Sequence, residues 1–200
     1  MTKSIYGNPG HWVGKYGRYD PGAIGPTGLK EADVVYDMWK RLSHLLREKG
    51  YKTLGGGHEY LVDAAKNANQ LNADLFISLH CNSSTNNKAK GTEIWYHKTG
   101  KELASHVLKR MLEEMNDKDR IPNNPKHPWY NWMPKFDYTL VSRGIKSGNF
   151  YVIRYTHMPA ILIETAFINN YTEEKLLKSA TFKQQMCQAI ADGVDDYFKR

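Results

Sequence analysis

The sequence predicts an α/β layer fold with a largely parallel sheet. Two observations carry that prediction. Short apolar runs alternate with longer segments whose apolar residues recur every three or four positions, as strands alternate with amphipathic helices. Two of the runs also end abruptly in a chemically capable residue: Leu75-Phe76-Ile77-Ser78-Leu79-His80 and Ile161-Leu162-Ile163-Glu164. Strands buried on both faces read this way where they emerge at the ligand-binding edge of a parallel sheet.

Taken in order, residues 3–7 form a short first strand closed by the turn Asn8-Pro9-Gly10. A loop follows in which Gly14, Gly17, Gly22, Gly25 and Gly28 mix with Pro21 and Pro26, so backbone geometry rather than side-chain packing shapes it. Residues 29–49 place Val34, Val35, Met38, Trp39, Leu42, Leu45 and Leu46 on one helical face, with Gly50 as the stop and Thr27 as the expected N-cap. Glu31 then falls in the first turn. Residues 51–54 read as a strand and 59–71 as a helix. Residues 74–80 give the clearest strand, followed by a strand at 92–97 and a helix at 101–115. Two further strands are expected at 149–155 and 160–165. The last helix is expected to start at Thr181, with Gln184 completing a capping box and Phe182, Met186, Ile190, Val194 and Tyr197 as its buried stripe. Between residues 116 and 140 periodicity fails. Pro122, Pro125, Pro128 and Pro134 mix there with Trp129, Tyr130, Trp132, Phe136 and Tyr138, which reads as a long loop whose aromatics either stack on sugar rings or pin the loop to the body.

At 200 residues, 40% hydrophobic and 24% charged, with a mean hydropathy of -0.65, the chain reads as one globular domain, residues 1–200, without a linker. No run approaches the roughly 20 apolar residues of a membrane span, and no secretory signal opens the chain, so synthesis in the cytoplasm is expected. The net charge of +7 favours an anionic partner. Its lysines are dispersed and no nucleic-acid-reading motif accompanies them, which argues against nucleic acid. Cys81 and Cys187 are too few for a disulfide framework and are read as free thiols. A monomer is expected.

Along residues 74–80 side chains alternate, so Phe76, Ser78 and His80 share one face while Leu75, Ile77 and Leu79 share the other. Cys81 faces away from His80 and belongs to the packing. His80 and Glu164 end their strands alike, and His11 and Glu31 flank the glycine loop. Parallel strands would gather all four along one edge. Neutral imidazole and carboxylate suit zinc, whose catalytic sites use three protein ligands and leave a fourth position open. His11, Glu31 and His80 are the expected ligands, and Glu164, a carboxylate ending a buried strand, needs a strong partner beside them. Manganese or cobalt suits the same donors. His157, just before Pro159, is the alternative ligand or substrate contact.

Four stretches resemble the zinc-dependent N-acetylmuramoyl-L-alanine amidases that cleave bacterial peptidoglycan, among them phage endolysins and autolysins. They are Asn8-Pro9-Gly10-His11 with Asp20-Pro21-Gly22-Ala23, then Gly28-Leu29-Lys30-Glu31, then Ala73 through Asn82 with its Ser78-Leu79-His80-Cys81-Asn82, and finally Met158-Pro159-Ala160-Ile161-Leu162-Ile163-Glu164-Thr165-Ala166-Phe167-Ile168-Asn169-Asn170. The resemblance implies a mostly parallel six-stranded sheet between helices, one zinc at His11, Glu31 and His80, a catalytic glutamate at Glu164, and action on the cell wall after release. Trp12 stands where such proteins commonly have a glycine. No separate wall-binding domain is expected. The rival readings are a zinc carboxypeptidase acting on wall peptides and a noncatalytic wall-binding module, the latter having no use for an acid beside metal ligands.

Overall fold

The computed structural model describes residues 2–116 and 139–199. Its strands are β1 (Ser4–Pro9), β2 (Trp12–Val13), β3 (Tyr19–Asp20), β4 (Lys52–Gly55), β5 (Leu75–Asn82), β6 (Thr92–Tyr96), β7 (Ser142–Ser147) and β8 (Ala160–Phe167). The helices are α1 (Glu31–Glu48), α2 (Leu61–Gln70), α3 (Lys101–Asn116), α4 (Tyr151–Arg154), α5 (Tyr171–Lys178) and α6 (Ala180–Lys199). Six strands make one sheet in the order β4-β1-β5-β8-β6-β7, and β2 pairs with β3 as a separate antiparallel ribbon. β4, β1, β5 and β8 run parallel, β6 is antiparallel to β8, and β7 is parallel to β6. The mostly parallel six-stranded α/β architecture agrees with the sequence reading.

Strand alternation sorts side chains into two layers. Ile5, Leu75, Ile77, Leu79, Ile161 and Ile163 face α1, α3 and α6, where Val35, Met38, Leu42, Leu46, Val107, Met111, Phe182 and Ile190 close the main core. Cys81 and Cys187 lie in this layer as free, buried thiols. On the opposite face Tyr6, Phe76, Ala160 and Leu162 pack under α2 and α4 through Ala64, Ala68, Val152 and Ile153. That layer is thinner and stops short of the strand ends, which leaves the polar residues of the same face open above it. Among the described residues no helix is long and apolar enough to cross a membrane.

Three local expectations are corrected. The strand expected at residues 149–155 is the four-residue helix α4, because one helical turn sends the adjacent Val152 and Ile153 into the same small core. The sixth strand is instead β7, a polar edge strand. α1 has Lys30 at its N-cap position and no side-chain cap; its first amides donate to loop carbonyls, Glu31 N–H to Ala23 O (2.9 Å) and Ala32 N–H to Pro21 O (3.1 Å). Thr27 is tied elsewhere, its amide and hydroxyl both donating to the buried Glu174. At α6 the Ser179 hydroxyl, not Thr181, accepts from the Phe182 amide at 3.3 Å. Apart from its ends, the segment expected as an aromatic loop lies outside the described residues. At those ends the Asn116 side chain accepts from Leu140 N–H (2.9 Å) and donates to Leu140 O (3.4 Å).

Candidate metal centre and active site

The C-terminal ends of β1, β5 and β8 form one rim, and the loop after β1 carries a histidine across it. Gly10 N–H donates to Leu79 O (3.0 Å), extending the β1–β5 ladder past Pro9. His11 and Trp12 then both adopt left-handed backbone, with φ of 69° and 66°, a conformation that costs a non-glycine residue on the order of 1–3 kcal/mol. Trp12 is held firmly enough to offset this. Its indole stacks on His58 (ring centroids 3.9 Å apart, planes 6° from parallel), meets Tyr19 and Tyr36 edge-on, and donates to Ala32 O at 3.0 Å.

Glu31 arrives from the start of α1 and is 3% exposed. Its Oε1 accepts from the Cys81 amide (2.9 Å) and faces His80 Nδ1 (3.0 Å); its Oε2 accepts from the Ala23 amide (2.9 Å) and faces His11 Nε2 (3.1 Å). One nitrogen from each imidazole and one carboxylate oxygen lie within 4.8 Å of one another, a set that could hold a metal ion. Ligands about 2.0–2.1 Å from a tetrahedral ion stand about 3.3 Å apart; here each imidazole nitrogen lies 3.0–3.1 Å from a different Glu31 oxygen, and one donor from each residue falls within 4.8 Å of the others. His11 Nδ1 meets Asp20 Oδ2 at 2.8 Å, which holds a proton on Nδ1 and makes Nε2 the nitrogen that a metal would take. Asp20 Oδ1 accepts from Gly22 N–H at 2.9 Å. Glycines wall the centre: a Cβ on Gly10 would come within 2.3 Å of the His80 ring, and one on Gly22 within 2.6 Å of the His11 ring.

The charge balance reflects this packing. Burial alone would raise the Glu31 carboxyl, but the hydrogen bonds and charges of His11 and His80 outweigh it and hold the group well below the usual carboxylate range. For His11, burial works against the proton, yet Glu31 and Asp20 prevail and raise it from 6.5 to about 9.

Glu164 is directly opposite His80 in the β5–β8 register. Burial, opposed by His80 and reinforced by Glu31 and Glu93, pushes its carboxyl up to about 7. Among the described residues the buried Glu164 Oε2 has no hydrogen-bond partner. On the next strand Glu93 pairs with Glu164, so His80, Glu164 and Glu93 form a row across β5, β8 and β6. A groove lined in part by His11, Asp20, His80, Tyr60, Phe150 and Leu162 opens beside the row.

The structure thus brings His11, Glu31, His80 and Glu164 to one rim. His157 is not among them: it precedes β8 at the strand's opposite end, and its amide donates to Asn69 Oδ1 (2.8 Å). Sequence reasoning left Asp20 and Glu93 without roles. Asp20 was signalled by the Asp-Pro-Gly turn, where a carboxylate two residues before a glycine commonly accepts that glycine's amide. Glu93 had no comparable signal, because its cationic partners Arg143 and Lys146 come from a strand about 50 residues downstream.

Comparison with known proteins is consistent along the whole chain. The family model described as N-acetylmuramoyl-L-alanine amidase matches residues 5–196. The amidase LytC of Bacillus subtilis is 31% identical over 208 residues, covering 100% of this chain and 36% of LytC. The amidase AmiA of Escherichia coli is 31% identical over 222 residues, covering 96% of this chain and 74% of AmiA. The chain therefore spans about a third of one relative's length and about three quarters of the other's. The solved structure of the amidase AmiC2 of Nostoc punctiforme superposes with a TM-score of 0.82 at 29% identity, covering 99% of this chain and 98% of that one. With the family model matching residues 5–196 and a solved amidase superposing over nearly the whole chain, the chain belongs to the N-acetylmuramoyl-L-alanine amidase family.

Proposed function

We propose that this chain hydrolyses the amide joining the lactyl carboxyl of N-acetylmuramic acid to the L-alanine of the peptidoglycan stem peptide, with zinc as cofactor. The observation that carries the reading is the convergence of His11, Glu31 and His80 with Glu164 beside them in register. His11, Glu31 and His80 would hold the ion. When bound, zinc supplies Lewis acidity toward water and toward the amide carbonyl.

The chain's own residues account for the rest. Asp20 keeps His11 in one tautomer and one orientation. Glu31 is fixed by two backbone amides, so it presents its oxygens without reorganising. Glu164 Oε2, buried and unpartnered among the described residues, is the base that takes a proton from the attacking water and returns it to the leaving nitrogen. A carboxyl pushed up to about 7 is matched to both halves of that transfer. The apolar side of the groove, through Leu162 and Phe150, excludes bulk water beside the reacting amide.

The test pairs metal analysis with product analysis. Purified protein should carry about one zinc and lyse walls, releasing stem peptides with a new N-terminal alanine, and chelation should abolish this. Trimming of C-terminal stem residues instead would identify a carboxypeptidase. Glu164→Gln should retain the metal while kcat falls by about 10²–10⁴-fold. Loss of zinc from that variant would make Glu164 a ligand and refute its assignment as base.

A further inference from the structure

The row of carboxylate-bearing positions continues past Glu164 to a pair of cations that the chemistry above does not use. Glu93 is 4% exposed. Its Oε2 accepts from both Arg143 Nε (2.7 Å) and Lys146 Nζ (2.6 Å), and its Oε1 accepts from the Trp95 indole (3.0 Å). Two positive charges therefore meet one negative charge, leaving a net positive charge at this end of the row. The buried member is the anion. The Arg143 and Lys146 side chains remain 38% and 32% exposed and cover it from the solvent side.

We propose that Arg143 and Lys146 form a carboxylate-binding subsite for the peptide arm of the substrate. Through it the enzyme selects stems whose second residue, a γ-linked D-glutamate, carries a free α-carboxylate rather than an amide. This inference rests on the amidase reading above. Its support is geometric. Neighbouring strands lie about 4.8 Å apart, so Glu93, two strands from His80, stands about 10 Å along the rim. An extended peptide advances about 3.3–3.6 Å per residue, so the second stem residue reaches about 7 Å beyond the scissile carbonyl. That distance brings its carboxylate to the cations as their side chains lean back toward Glu93.

A chain of aromatic contacts joins the groove to the two cations. Phe150 lines the groove that holds His11 and His80 and meets the Trp95 ring edge-on at 5.1 Å. The Lys146 ammonium lies 5.2 Å from the centre of the same Trp95 ring, and the Arg143 guanidinium lies 4.9 Å from the centre of the Phe167 ring. These aromatic faces fix both cations. Arg143 spends only Nε on Glu93, so its two Nη amines are not used in that contact and are suited to a planar carboxylate. The muramic sugar on the other side of the scissile bond offers no fixed charge at this distance, which orients the peptide arm toward β7.

The experiment uses the zinc-loaded full chain and two disaccharide-tetrapeptide muropeptides that differ only in whether the second residue's α-carboxyl is free or amidated. Wild-type kcat/KM should favour the free acid by about tenfold or more, mostly through KM, as expected for charge-assisted hydrogen bonds. In the Arg143→Gln, Lys146→Met double variant the two substrates should converge, and Arg143→Lys should restore part of the difference. Zinc content, measured in every variant, reports whether the metal rim is intact. Equal wild-type cleavage of both muropeptides overturns the subsite and leaves the amidase reading standing. So does an equal fractional loss on both substrates in the double variant, which is what disturbance of Glu93 alone would give. Cleavage of neither muropeptide by the zinc-loaded wild type overturns the amidase reading together with this inference.

Discussion

Gly10→Ala isolates the metal rim from the rest of the fold. The added Cβ would stand 2.3 Å from His80 Cε1 and 2.6 Å from Nε2. Ordinary van der Waals contact begins near 3.4 Å, so something must move by about 1 Å. Gly10 has little room to retreat, because its amide is bonded to Leu79 O at 3.0 Å on the strand that carries His80. The imidazole is rigid, so it must shift as a unit, which disturbs its 3.0 Å approach to Glu31 Oε1. Metal–ligand distances tolerate only about 0.2 Å of error. The expected result is a loss of zinc affinity of at least about 100-fold, corresponding to about 2.8 kcal/mol, with the α/β fold retained because the main core lies on the sheet's other face. Competition against a chromophoric chelator measures the affinity, and circular dichroism with thermal melting in chelator checks the fold. A folded Gly10→Ala protein that binds one zinc with wild-type affinity would refute the assignment of His80 as ligand.

Other outcomes follow from the same geometry. Asp20→Asn keeps one acceptor oxygen where two are needed, for His11 Nδ1–H and for Gly22 N–H, so zinc affinity should fall by about 10–100-fold and excess zinc should restore activity; unchanged affinity would show that His11 needs no orienting partner. In metal-free protein the His11 pKa is raised from 6.5 to about 9. The stability from its charged form is therefore fully present below about pH 6.5 and lost as pH rises through about 9. The melting temperature in chelator, taken relative to His11→Asn, should decline between about pH 7 and 9.5, and a flat difference would contradict the coupling to Glu31 and Asp20. Burial pushes the Cys187 thiol up to about 12 and raises that of Cys81 as well, so a thiol reagent should titrate neither until the protein unfolds. Rapid modification of either in native protein would contradict its burial.

Much of this architecture is written locally. Residues 75–80 read as a strand because apolar side chains occupy both faces, and His80 reads as a rim residue because the apolar run stops there. The gathering of His11, Glu31 and His80 was legible only as a combination, since their spacing matches no short metal motif. What escaped depends on tertiary context. Three of the four residues of α4, Tyr151, Val152 and Ile153, are aromatic or β-branched, a strand-like composition, yet the small core under α2 rewards one helical turn. β7, with the sequence Ser-Arg-Gly-Ile-Lys-Ser, has only Ile145 packed against the main core and so shows no alternation to detect. α5 was missed although its start is marked: the Asn170 side chain accepts from the Thr172 and Glu173 amides, an asparagine cap a few residues after a strand. The first-turn cap assigned to Thr27 failed because Glu174, 147 residues away, competes for that hydroxyl.

The tryptophan that follows His11 changes what kind of vessel the rim is. Glycine would enter the same backbone shape freely and leave it as freely, letting the loop collapse whenever nothing occupied it. An indole wedged against His58 and latched to Ala32 makes departure costly, so the hollow keeps its form between fillings. On the proposed reading, a metal taken up there would leave and return without the surrounding chain unravelling.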